Sequence, residues 1–126
     1  MKKIINTTNA PAPIGPYNQA ILSNGTLYIS GQIPLNPATG ELVSGDIKKE
    51  TKQSMENLKA ILDEAKMTFE HVVKSSIFLS DMNQFAQVNE VYASYFDAET
   101  APARETVEVA NLPKFVNVEI SMIAVK

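Results

Sequence analysis

Residues Val116-Asn117-Val118-Glu119-Ile120-Ser121-Met122-Ile123-Ala124-Val125 decide the fold. In an extended strand, successive side chains point to opposite faces. Val116, Val118, Ile120, Met122 and Ala124 therefore share one apolar face. Asn117, Glu119, Ser121, Ile123 and Val125 share the other, which is mixed. The first face calls for a covering layer of helix. The second is too apolar to be left wholly to solvent, so something other than this chain's helices covers it.

Working outward, the chain supplies the remaining strands and two helices. Strands are expected over Lys2–Asn6, Asn18–Ser23 and Thr26–Gln32, the last two joined by Asn24-Gly25, a pair that tolerates the positive φ of a tight hairpin turn. The stretch from Ala10 to Pro16 holds three prolines and a glycine and reads as a fixed loop. Asp46 can cap a helix whose apolar stripe is Ile47, Met55, Leu58, Ile61, Leu62 and Ala65. A strand follows at Val72–Leu79. Asp81, with Gln84 three residues on, can cap a second helix with the stripe Phe85, Val88, Tyr92, Tyr95 and Phe96. Strands Ala103–Val109 and Val116–Val125 close the chain.

The order β-β-β-α-β-α-β-β predicts an α/β (α+β) sandwich, one sheet of about six strands with two helices, in a single domain over residues 1–126. Two helices cover one face of so large a sheet. The economical cover for the half-apolar remainder is another copy of the same chain.

Composition narrows the chemistry. Apolar residues are 44% of the chain and charged residues 20%, the balance of a folded domain. There is no cysteine and one histidine, His71, which excludes a disulfide scaffold, a thiolate nucleophile and a cysteine-based metal site. The net charge of −3, with lysines single or paired, argues against nucleic acid as a partner. No apolar run approaches the roughly 20 residues of a membrane span, and the N-terminus lacks a signal core, so the expected location is cytoplasmic. The remaining tools are an arginine, carboxylates, hydroxyls and backbone groups.

Arg104 is the only arginine among eleven Lys and Arg residues, and it opens a strand after Pro102-Ala103. A guanidinium can hold a carboxylate through two parallel hydrogen bonds, which lysine cannot do. A surface or interface ion pair is its ordinary role. Glu119 sits mid-strand among apolar and small residues, costly for a carboxylate unless it is paired or used. A solvent-facing position is the ordinary alternative. Glu108 shares a strand face with Arg104 and Glu105 does not, and parity alone does not choose among the three acids. Tyr17 ends the stiff segment Ile14-Gly15-Pro16-Tyr17 and serves either a site or the core. Ser30-Gly31 interrupts a strand, as at a bulge, a close backbone approach by a ligand, or simple packing. Asn89 is a polar helix position, His71 a loop residue, and the aromatic stripe of the second helix reads as core.

Taken together, these segments resemble a known family. Ile14-Gly15-Pro16-Tyr17, Tyr28-Ile29-Ser30-Gly31-Gln32-Ile33-Pro34, Pro102-Ala103-Arg104, Val107-Glu108-Val109, Leu112-Pro113 and Val118-Glu119-Ile120 occur in one order over essentially the whole chain. The set is similar to the RidA (YjgF-type) family of reactive intermediate deaminases. The resemblance implies a chorismate-mutase-like fold with the last strand inserted between earlier ones in a mixed sheet. It also implies a homotrimer with a central barrel and clefts between neighbours.

The implied activity is that of a 2-iminobutanoate/2-iminopropanoate deaminase, which hydrolyses imines and enamines bearing a carboxylate and uses neither metal nor cofactor. In that reading Arg104 holds the substrate carboxylate and Glu119 positions the attacking water. Tyr17, Ser30, Gly31, Asn89 and Thr106 line the cleft, with Thr106 standing where many members have cysteine. A non-catalytic trimer that binds or senses small 2-oxo acids is the alternative from another class. A ribonuclease is weakened by the acidic balance and the lack of catalytic histidines.

Overall fold

The computed structural model describes residues 1–126. Its strands are β1 (Lys2–Ile5), β2 (Ala20–Ser23), β3 (Thr26–Gln32), β4 (Val72–Leu79), β5 (Ala103–Glu108) and β6 (Val118–Val125), with helices α1 (Ile47–Glu64) and α2 (Phe85–Ala93). All six strands join one mixed sheet in the order β1-β2-β3-β6-β4-β5. The last strand is thus inserted between β3 and β4, antiparallel to both. Only β4 and β5 run parallel, which requires a crossover, and α2 supplies it.

The alternation in β6 holds residue by residue. Val118, Ile120, Met122 and Ala124 are buried with Leu27, Ile77, Leu79 and the apolar face of α1, while Glu119, Ser121 and Ile123 lie on the uncovered side. On that side Ile4, Ile21, Tyr28 and Ile123 are register partners across four strands. Ile4 and Tyr28 are each about half exposed, at 53% and 52%. The row is an apolar band with nothing of this chain over it.

Local chemistry explains the element ends. Asp46 accepts from the Lys48 amide at 2.9 Å and starts α1. Met55, Leu58, Ile61 and Leu62 are fully buried beneath it, each such side chain contributing about 1.5–3 kcal/mol of transfer free energy. Asn24 and Gly25 have φ of 51° and 80° at the β2–β3 turn, as the hairpin signal requires.

The second helix departs from expectation. Asp81 caps only a single 3₁₀ turn, Met82–Gln84, by accepting from the Asn83 amide, and Gln84 makes no side-chain cap for α2. Tyr95 and Phe96 lie beyond the end of α2. They still pack on the core, held by backbone turns and an aromatic cluster with Phe69.

Candidate functional site

The sequence-predicted site residues separate into two groups. The first surrounds Glu119. Ile29 pairs with Met122 and Gln32 with Ile120, so β3 carries one extra residue at Ser30-Gly31, a β-bulge. The bulge brings the Gly31 backbone against Glu119. A Cβ on residue 31 would lie 2.8 Å from the Glu119 carboxyl carbon and 2.9 Å from Oε2. Any side chain here would displace the carboxylate from its place against the backbone. Glu119 is half-buried, no protein donor offsets the lost hydration, and burial pushes its carboxyl up from the ordinary range.

Ser30 anchors the neighbouring loop. Its hydroxyl donates to the Asn18 carbonyl at 2.7 Å and its amide to the Gln19 carbonyl at 2.8 Å. The Gln19 side chain is buried and ties the same loop from inside. It donates to the carbonyls of Thr7, Ala10 and Pro11 and accepts from the Thr7 amide. Tyr17 is presented by this knot, with its amide bonded to the Gly15 carbonyl, and it is 48% exposed, which rules out the core role. Ile14, Tyr17, Gly31, Ile33 and Lys114 line a shallow pocket there.

The second group surrounds Arg104, on edge strand β5 under α2. Its Nη1 donates to Asn89 Oδ1 at 2.7 Å. Its Cζ lies 5.0 Å from the Tyr92 ring centroid and 5.5 Å from that of Phe85. No carboxylate neutralises it, because the nearby acids are engaged elsewhere. Glu90 pairs with Lys48, Glu105 with Lys74 and Ser76, and Glu108 accepts from the Met82 amide. Two residues along the same strand face, the Thr106 hydroxyl is buried without a hydrogen-bond partner. A cation with free donors beside an orphaned hydroxyl suits a small carboxylate bearing a second polar group.

Within one chain the two groups do not meet. Arg104 is in register with Ser75, whose side chain faces the helices, and Glu119 with Phe78, whose side chain faces the uncovered side. They stand two strands apart and three residues out of register, on opposite faces of the sheet. His71 belongs to neither group; its Nδ1 accepts from the Thr68 amide at 3.0 Å and closes a 3₁₀ turn. No cluster of three or more His, Asp or Glu side chains could hold a metal. Sequence reasoning missed Gln19, Phe85 and Tyr92 as parts of the setting. A buried glutamine among loop residues carries no motif, and the two aromatics are indistinguishable from core by spacing.

The family described as endoribonuclease L-PSP matches residues 7–126. A RutC family protein of Pyrococcus horikoshii is 56% identical over 126 residues, covering 100% of this chain and 99% of that protein. A mouse protein named 2-iminobutanoate/2-iminopropanoate deaminase is 48% identical over 126 residues, covering 100% of this chain and 93% of its own length. Among solved structures, a Rid family protein of unknown function from Yersinia pestis superposes with a TM-score of 0.97 at 52% identity, over 100% of both chains.

Proposed function

The chain belongs to the endoribonuclease L-PSP family, which includes RutC and Rid proteins, and from that premise we propose that it hydrolyses 2-iminopropanoate and 2-iminobutanoate, with their enamine tautomers, to 2-oxo acids and ammonia. The observation that carries this reading is the sole arginine held in place with no carboxylate partner, while every neighbouring acid is bound elsewhere. A site arranged in this way is a receptor for an external carboxylate. The relatives named as imine deaminases support the choice of substrate.

Arg104 takes the carboxylate in a two-point grip, which fixes C2 of the imine. A water held by Glu119 adds to C2, and the carboxylate accepts the proton that the water loses. Glu119 passes that proton to the nitrogen to complete the carbinolamine, then takes the hydroxyl proton and passes it likewise to nitrogen as the C–N bond breaks, leaving the ketone and ammonia. The balance is imine plus water to ketone plus ammonia, with no redox change. Burial favours Glu119 as a base stronger than an ordinary carboxylate, and proximity does much of the rest.

Because Arg104 and Glu119 face opposite ways, the working site is shared by two copies. Arg104, Asn89 and Thr106 come from one, and Tyr17, Ser30, Gly31 and Glu119 from its neighbour. The apolar band on the uncovered face is the contact that builds the homotrimer. The test is release of ammonia and 2-oxo acid from freshly generated 2-iminopropanoate. Acceleration over the buffer rate that survives chelators is expected. Binding of 2-oxobutanoate without acceleration would replace this reading with that of a sensor.

A further inference from the structure

We propose that Tyr92, seconded by Phe85, is a positioning residue that holds the Arg104 guanidinium by its face and leaves its donors free for a substrate carboxylate. The proposal rests on Arg104 as the carboxylate clamp and adds what keeps the clamp set while empty. A lone arginine on an edge strand is ordinarily steadied by a carboxylate, which occupies the donor fork. Here the only protein hydrogen bond to the Arg104 side chain uses one Nη1 proton, through Asn89. The remaining restraint is the pair of aromatic rings 5.0 and 5.5 Å from Cζ. A cation over a ring face is held without a hydrogen-bond acceptor, so this restraint uses up none of its N–H donors.

Tyr92 is itself immobilised. It is 5% exposed, its ring packs 4.8 Å from that of Phe96, and its hydroxyl donates to Ser75 Oγ at 2.9 Å. Ser75 is the register partner of Arg104 on the neighbouring strand. The contacts therefore close on themselves: backbone register joins Arg104 to Ser75, Ser75 holds the Tyr92 ring, and the ring holds Arg104. Burial keeps the phenol pushed up, so it stays neutral and continues to donate.

A chain with one arginine gives a single arginine Nε–H cross-peak by NMR, assigned without ambiguity. In the parent protein, ring currents should displace it from the position of a free arginine, and 2-oxobutanoate should move it further. Tyr92→Phe keeps the ring but loses its tie to Ser75, so the cross-peak shift and the loss of 2-oxobutanoate affinity should be clearly smaller than those of Tyr92→Leu, even if melting falls as far. Tyr92→Leu should shift the cross-peak towards the free position and weaken 2-oxobutanoate about tenfold, with KM for the imine rising more than kcat falls. Phe85→Leu, at a less buried ring, should do the same more weakly, and serves if Tyr92→Leu does not fold.

Parental cross-peak and affinity in folded leucine variants would overturn the proposal, as would losses that simply follow melting temperature in both Tyr92 variants. A parental cross-peak unmoved by 2-oxobutanoate would overturn it together with the clamp. If the parent hydrolyses no imine yet its arginine responds as described, the deaminase reading fails while the positioning role stands.

Discussion

The surroundings of Glu119 and of Arg104 solve opposite problems. Glu119 is a charge stripped of partners: half-buried, unpaired and pressed against a glycine backbone. Arg104 is a charge surrounded by support, with an amide and two aromatic rings but no counter-ion. The first arrangement raises reactivity by withholding stabilisation. The second preserves binding capacity by supplying only the kind of stabilisation that leaves donors free. Catalytic bases and binding cations therefore need different neighbourhoods, and this sheet carries one on each face.

The hardest test of that contrast separates the two charges onto different chains. Arg104→Lys keeps the charge but loses the planar fork, and Glu119→Gln keeps the shape but loses the base. Each should cost at least about 100-fold in turnover, and Glu119→Gln should still bind 2-oxobutanoate. If the site is shared between copies, refolding the two dead variants together at equal ratio should restore about a quarter of the sites, since each needs one intact contributor from each chain. Mass, melting and imine hydrolysis on the same samples decide it. No recovery in mixed oligomers, or parental activity in Arg104→Lys, would break the contrast.

Next in size is Gly31→Ala. Its Cβ would occupy the space of the Glu119 carboxyl, which must swing away. Turnover should fall on the order of 10-fold or more, with less than about 1 kcal/mol of stability lost, because a side-chain end moves rather than backbone. A loss of stability that accounts for the loss of activity would show Glu119 to be a structural residue.

The pH dependence sharpens the same point. With its carboxyl pushed up by burial, Glu119 gains its proton at a higher pH than an ordinary glutamate, so kcat/KM should fall as pH drops through that raised value. Stability runs the other way. The fold penalises the charged form, so stability held at low pH is lost as pH rises through the raised value. Glu50 provides the comparison. It is 3% exposed and also pushed up by burial, but it accepts from Asn117 Nδ2 at 3.1 Å and stands outside both groups. Glu50→Gln should stabilise the protein by about 1 kcal/mol at neutral pH and flatten the decline, leaving the acid limb of kcat/KM unchanged. Melting and rate profiles over the same pH range check both.

The smallest expected effect concerns backbone. Lys114 and Phe115, which lead into β6, both have φ of 55°, in the left-handed region, and Phe115 is 80% exposed. The backbone around Arg104 has no such residue. Phe115→Gly should relieve strain and raise stability by about 0.5–1 kcal/mol, measured by denaturant midpoint. No gain would mean that Phe115 makes compensating contacts.

Much of this was legible in the chain. The alternation over residues 116–125 predicted which side of β6 is buried, Asn24-Gly25 predicted a tight hairpin, and Ser30-Gly31 marked a bulge. These are local signals, each contained within a few residues. What could not be read depends on register between distant strands. Parity told that Glu108 and Arg104 share a face, but it could not relate Arg104 to Glu119 across β4. The aromatic stripe was rightly placed against the core, but its spacing was silent on a guanidinium lying across it. The apolar rhythm of the second helix runs on through Tyr95 and Phe96 after α2 itself has ended at Ala93, so spacing alone overstates its length.

A single guanidinium on an exposed strand edge also gives the protein one address for arginine-directed reagents. A dicarbonyl that condenses with guanidines can add at one position per chain, so intact mass reports occupancy directly, without peptide mapping. Each assembly then carries as many labels as it has copies. A small carboxylate in the grip should slow the labelling in proportion to its own occupancy. The ten-to-one preference for lysine over arginine thus makes the protein its own titration standard: the fractional drop in labelling rate gives the fraction of sites that are filled.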